Sequence, residues 1–201
     1  MKKIDVFNHI WPKPFFDRLV KELGTMTHMT KRSGDVPMMT DLDRRFQVMD
    51  MFGPDYQQVL SLASPPLEAF AGPEVALELS TLGSDSMAEL VPKHPDRFPA
   101  FVATAPMNNP DALVEESRRA IEDLGAVGVQ IFTNVNGKPV DLPEFDPFFE
   151  YMAKSGKPVF LHPARTQDFA DYKTESRSEY EIWWTLGWPY ETSATMARMV
   201  F

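Results

Sequence analysis

Two histidines in this 201-residue chain stand where strand-like residues give way to a proline-containing loop: His9 in IDVFNHIWP and His162 in VFLHP. Imidazole changes charge close to neutral pH and is the commonest metal-ligating side chain. The carboxyl end of a parallel strand is where (β/α)8 barrels place their chemistry. The pair can serve as metal ligands, as general acid and base, or as hydrogen-bonded structural groups. Zinc, iron and manganese all accept imidazole. A catalytic zinc site needs about three protein ligands and an open position, one ligand more than the pair supplies.

Other residues could complete such a site. Arg165, three positions after His162, can bind a substrate carboxylate through its planar fork or can form a surface ion pair. Thr133 and Asn134 leave a strand towards the same end, where polar substrate contacts are expected. Trp183, Trp184 and Trp188 can wall a pocket for an aromatic ring, or can form a subunit interface. His94, in a helix-to-strand turn at the opposite end, is read as structural. His28 lies in a loop and either reaches substrate or faces solvent. No G-x-S-x-G elbow, phosphate-binding Walker loop or H-E-x-x-H helix occurs.

The elements that must position these residues follow from periodicity. Residues 3–8 predict a first strand, and Phe15, Phe16, Leu19, Val20 and Leu23 a helix stopped by Gly24. Residues 25–40 have no period and predict a long loop or lid. A helix capped by Asp41 ends at Gly53, and strand 57–62 follows. A helix over 73–91, a strand over 98–104, a helix over 110–124 and a strand over 127–132 come next. A helix over 145–155, a strand over 158–161 ending at His162, an aromatic exit segment over 163–188 and a last helix from Pro189 complete the order. Strands alternating with helices at this spacing predict a parallel sheet. No G-x-G-x-x-G follows the first strand, so a dinucleotide fold has no support.

A composition with 43% hydrophobic and 24% charged residues can bury a core. With 20 basic against 29 acidic residues and a formal charge of -9, a nucleic-acid partner is not expected. The absence of cysteine excludes disulfides, thiolate metal sites and cysteine nucleophiles. No apolar run is long enough to span a bilayer, and a cytoplasmic protein is expected. Five strands fall short of the eight that a closed barrel builds from about 250 residues. The expectation is that residues 1–201 form the N-terminal part of one (β/α)8 TIM-barrel domain, the alternative being a partner that covers the open edge.

The stretches IDVFNHIWP, HPDRFPAFVATAPM, LGAVGVQIFTNVNG, VFLHP and GWPYETSATMARMVF, taken in that order, resemble the amidohydrolase-2 family, whose best-known branch is aminocarboxymuconate-semialdehyde decarboxylase. The resemblance implies an α/β TIM barrel of the metal-dependent hydrolase type, of which about the first five βα units are present. It implies a divalent metal, usually zinc, with manganese or iron as alternatives. His9 falls on the second histidine of the family's H-x-H motif and His162 on its fifth-strand ligand. Phe7 falls on the motif's first position, where relatives carry histidine or glutamate. A later histidine and a strand-eight aspartate of the family would lie past Phe201. The implied catalytic and metal-binding residues are His9 and His162, with Arg165, Asn134 and Trp188 at the substrate. The reaction expected is decarboxylation of a small unsaturated or aromatic acid in a homodimer. The alternatives are hydrolysis of a lactone, ester or amide, and a metal-free, non-catalytic barrel, for which Phe7 speaks.

Overall fold

Each long-range strand pairs with the one before it in the chain. In the computed structural model, which describes residues 1–26 and 28–201, β1 (Lys3–Asp5) runs parallel to β2 (Tyr56–Gln58), with Ile4 opposite Gln57. The pairing continues past the short strands: Ile10 bridges Leu62, and Leu60 bridges Phe101. Beyond lie β3 (Ala103–Thr104), β4 (Val129–Phe132) and, after the hairpin described below, β7 (Val159–His162), all parallel. Chain order and spatial order coincide, as in a barrel wall.

The connecting helices are α1 (Lys13–Leu23), α2 (His28–Gly34), α3 (Leu42–Asp50), α4 (Pro73–Lys93), α5 (Pro110–Glu122) and α6 (Asp146–Ser155). Their starts follow local chemistry. The Asp41 carboxylate accepts the Arg44 amide at 3.0 Å, and the Asn109 side chain accepts the Ala112 amide at 3.3 Å, each satisfying an otherwise orphaned donor. α4 turns Ala76, Leu79, Ser80, Gly83 and Met87 inward at helical spacing. Ser80 Oγ donates to the Thr104 carbonyl at 2.8 Å, pinning that face to β3. β4 is buried along its whole length, as parallel strands covered on both faces are. Val129 and Ile131 pack with Phe145 and Phe148 beneath α5 and α6. Gln130 points the other way, its amide donating to the Leu62 carbonyl at 2.9 Å.

The structure departs from the sequence expectations in several places, beginning with the first two strands, whose ladder covers 3–5 and 56–58 where 3–8 and 57–62 were expected. The stretch read as a loop over 25–40 carries α2 and a single 3₁₀ turn, Pro37–Met39. α2 has only seven residues, too few to show an apolar period or to stand alone, so its stability comes from tertiary contact. Gly34 lies against Met26 and Trp11. The His28 side chain lies outside the described residues. The strand expected over 98–104 shortens to two residues, with Phe101 joined to Leu60 by an isolated bridge and Phe98 buried in the core. After β4 comes an antiparallel hairpin, β5 (Asn134–Val135) and β6 (Lys138–Pro139). Its turn is Asn136-Gly137, with φ of 52° and 84°, the pair that the primed hairpin turns require. The chain ends in α7 (Ile182–Thr185) and α8 (Gly187–Val200).

Gly128, just before β4, has no room for a side chain against the neighbouring strand. A methyl group there would sit 2.6 Å from the Pro158 carbonyl oxygen and 2.9 Å from the Phe160 ring. Gly128→Ala is expected to cost about 1–3 kcal/mol by overpacking, read as a lower urea midpoint at unchanged slope.

Candidate metal and substrate site

The ends of β1 and β7 bring the two strand-end histidines together. The His9 and His162 ring centroids are 5.0 Å apart at 60°. His162 ends β7, where it is paired with Phe132 of β4, and is almost fully buried. His9 lies beyond β1, in the stretch that Ile10 ties to Leu62. Phe7 stacks on His162 at 5.9 Å and 15° and meets His9 edge-on at 5.2 Å. Phe132 and Trp188 touch the other sides of the His162 ring at 5.0 and 5.8 Å. The pair thus sits in an aromatic nest whose Phe7 wall is 57% exposed.

Both imidazoles are held neutral. Burial lowers the His9 pKa most, and repulsion from a charged His162 lowers it further, to about 4; the Leu62 carbonyl pulls weakly the other way. Burial also lowers His162, against the Pro163 carbonyl. A carbonyl can only accept, so the 2.8 Å contact between His162 Nδ1 and the Pro163 oxygen places the proton on Nδ1. His9 Nδ1 contacts Ser61 Oγ at 3.0 Å. Ser61 donates its one hydroxyl proton to the Asn8 carbonyl at 2.6 Å, so the Ser61 oxygen accepts from His9. Each ring therefore carries its proton on Nδ1 and its lone pair on Nε2.

That arrangement fits a divalent ion as two of its ligands. Two imidazoles on one ion at about 2.1 Å place their ring centres about 5 Å apart, the separation seen. A third ligand is a different matter, because the Phe7 ring that touches both imidazoles offers no donor. Among the described residues no group of three or more histidine or acidic side chains is arranged to hold a metal.

Beneath the nest, α3 contributes a residue that the sequence reading did not single out. The Arg45 guanidinium is buried. It donates to the Met38 carbonyl at 3.1 Å, the Asn8 side chain at 3.3 Å, the Gln58 side chain at 2.7 Å and the His9 carbonyl. Burial lowers its pKa to about 10, with Tyr56 and Asp5 opposing. Its position on the same helix face as Leu42 and Met49 was the available signal, since a cation there must be satisfied inside.

A cavity of about 210 Å³ adjoins the nest rather than lying over it. α1 and α2 line one side (Leu23, Met29, Thr30), the loop after β2 the floor (Ser64, Pro65, Pro66), and the exit segment the other side (Arg165, Trp183, Trp188). Trp188 joins the two places, touching His162 while donating its indole N–H to the Arg165 carbonyl at 2.8 Å. Arg165 forms no ion pair among the described residues; it caps the Phe169 ring at 5.4 Å and donates to the Phe169 carbonyl at 3.3 Å. Its Nε is buried without a partner. Gly187 makes room for it, since a Cβ there would lie 2.6 Å from Arg165 Cδ.

Asn134 is hydrogen-bonded within the protein. Its oxygen accepts the Gly137 amide at 2.8 Å and its amide donates to Glu191, so the side chain closes the hairpin and ties it to α8. Thr133 likewise accepts the Ala164 amide at 2.9 Å. These two side chains hold the end of β4 to its hairpin, to the exit segment and to α8. Trp184 gives its indole N–H to Glu181 at 2.7 Å, and His94 packs against Phe46 and Phe98, at the far end as expected.

The amidohydrolase family model matches residues 4–200. The 2-amino-3-carboxymuconate-6-semialdehyde decarboxylase of Dictyostelium discoideum is 34% identical over 161 residues, 80% of this chain and 43% of that protein. The structure of 5-carboxyvanillate decarboxylase from Sphingomonas paucimobilis superposes with a TM-score of 0.80 at 24% identity, over 99% of this chain and 62% of that one. The dihydroxybenzoic acid decarboxylase of Polaromonas sp. JS666, solved with bound manganese and 2-nitroresorcinol, gives a TM-score of 0.67 at 28% identity, over 82% and 50%. The chain thus spans less than half of the curated relative and at most about three fifths of these structures. Its parallel strands are part of a TIM barrel wall.

The depressed His9 pKa makes stability depend on pH. Unfolded His9 takes up a proton near pH 6.5 and folded His9 only near pH 4. The stabilisation is therefore complete above pH 6.5 and is lost as the pH falls towards 4. Metal-free protein is expected to lose about 2–3 kcal/mol of urea stability between pH 7 and pH 4, and His9→Gln to flatten that slope.

Proposed function

The chain belongs to the amidohydrolase family, and on that premise we propose that it supplies the first five βα units of a metal-dependent decarboxylase. Its substrate is a small aromatic or unsaturated carboxylic acid. The observation that carries the reading is the pair of neutral imidazoles, 5.0 Å apart, each with its proton held on Nδ1. Such an arrangement is what two ligands of one divalent ion need.

His9 and His162 would hold the ion together with donors from the part of the barrel that these 201 residues do not span. When bound, a divalent ion supplies Lewis-acid polarisation of a substrate oxygen. Manganese, held by the Polaromonas relative, is the ion to try first; zinc and iron also suit imidazole. The chain's own residues do the rest. Arg165 has no carboxylate partner among the described residues and borders the cavity, so it meets the substrate carboxylate. Trp188 and Trp183 flank the substrate's unsaturated face and keep bulk water from it. Loss of carbon dioxide leaves an electron pair on the substrate carbon, which takes up one proton in exchange for the carboxylate. The aromatic wall also speaks for decarboxylation of a flat acid over hydrolysis of a lactone, ester or amide. Among the described residues no helix is long and apolar enough to cross a membrane. A cytoplasmic homodimer acting on a free small molecule remains part of this reading.

The test is carbon dioxide release from hydroxybenzoic and muconic-type acids by the whole protein loaded with manganese. His9→Ala and His162→Ala are expected to lose both the metal and activity. Arg165→Ala is expected to raise KM tenfold or more, matching about 1.5–3 kcal/mol for a charged hydrogen bond. Hydrolysis of lactones without carbon dioxide release would overturn the reading.

A further inference from the structure

We propose that Ser61 is the positioning residue that fixes which nitrogen of His9 faces the site. Ser61 is buried in the stretch that follows β2, where the Ile10 amide donates to the Ser61 carbonyl at 2.9 Å. Its Oγ lies 2.6 Å from the Asn8 carbonyl and 3.0 Å from His9 Nδ1. A hydroxyl has one proton to give and lone pairs with which to accept. Among the described residues no other donor reaches the Asn8 carbonyl, and a buried carbonyl without a donor is costly. The Ser61 proton therefore goes to Asn8, and the same oxygen accepts the His9 Nδ1–H.

The consequence runs through the imidazole. With Nδ1 protonated, Nε2 keeps its lone pair and can ligate; the opposite tautomer would turn an N–H towards the site and could not. Arg45 completes the bracket by holding the His9 carbonyl and the Asn8 side chain, so ring and main chain are fixed together. Only the value of this tautomer for metal binding rests on the function proposed above; the tautomer itself does not.

The experiment is long-range proton–nitrogen correlation spectroscopy of the whole, metal-free protein with ¹⁵N-labelled histidine, at pH 8. The chain has four histidines, and His9→Gln assigns the signal. Wild type is expected to show His9 protonated at Nδ1. Ser61→Ala should lose that signal in favour of the Nε2–H form, and Ser61→Thr, which keeps a hydroxyl, should restore it. Manganese titration of the same three proteins should show affinity falling about 10- to 100-fold in Ser61→Ala and recovering in Ser61→Thr. An Nδ1–H signal unchanged in Ser61→Ala overturns the proposal, as does an Nε2–H form in wild type. If wild type takes up no manganese while Ser61→Ala still switches the tautomer, the positioning role stands and the metal reading fails.

Discussion

The arrangement depends on one buried cation. Arg45 reaches from α3 across the end of β1 and meets only neutral acceptors. Bringing a guanidinium out of water costs several kcal/mol unless its donors are satisfied, and here four groups satisfy it. A relay of neutral groups carries its field outward, since Gln58 also donates to the Tyr56 hydroxyl, which in turn donates to Asp5. Two of the acceptors belong to Asn8 and His9, so the cation can be buried only if the end of β1 takes its observed path. The stability of α3 and the placement of the first candidate ligand are thus one condition.

The second candidate ligand is placed by different means. His162 rides on β7, whose register is set by four consecutive pairings with β4. One histidine is thus held by a polar bracket on a strand end and the other by a ladder inside a dry core. This division explains their different surroundings. The ladder position leaves His162 ringed by Phe7, Phe132 and Trp188, while the bracket leaves His9 beside Arg45, Asn8 and a second cavity of about 300 Å³.

Much of the scaffold was legible because it follows local rules. The two histidines past strand residues, the cap at Asp41 and the stops at Gly24 and Gly156 lie where residue chemistry puts them. The site was legible only in part, since its support is written across the chain. Ser61 reads as a small polar residue inside QQVLSL, and nothing local says that its neighbour will be His9, 3.0 Å away from another strand. Asn134 was legible as a polar strand-exit residue, but its hydrogen bonds to the Gly137 amide and to Glu191, 57 positions away, were not. α2 was hidden because seven residues carry too little period to stand out.

Trp188 gives the site a built-in optical probe. An indole emits according to what touches it, and a protonated imidazole at van der Waals range quenches emission far more than a neutral one. Of the ring contacts between tryptophan and histidine described here, the one at 5.8 Å between Trp188 and His162 stands alone. Because the same indole walls the cavity, ultraviolet emission should register both the charge state of the nest and the arrival of a flat guest beside it. The molecule carries its own dye.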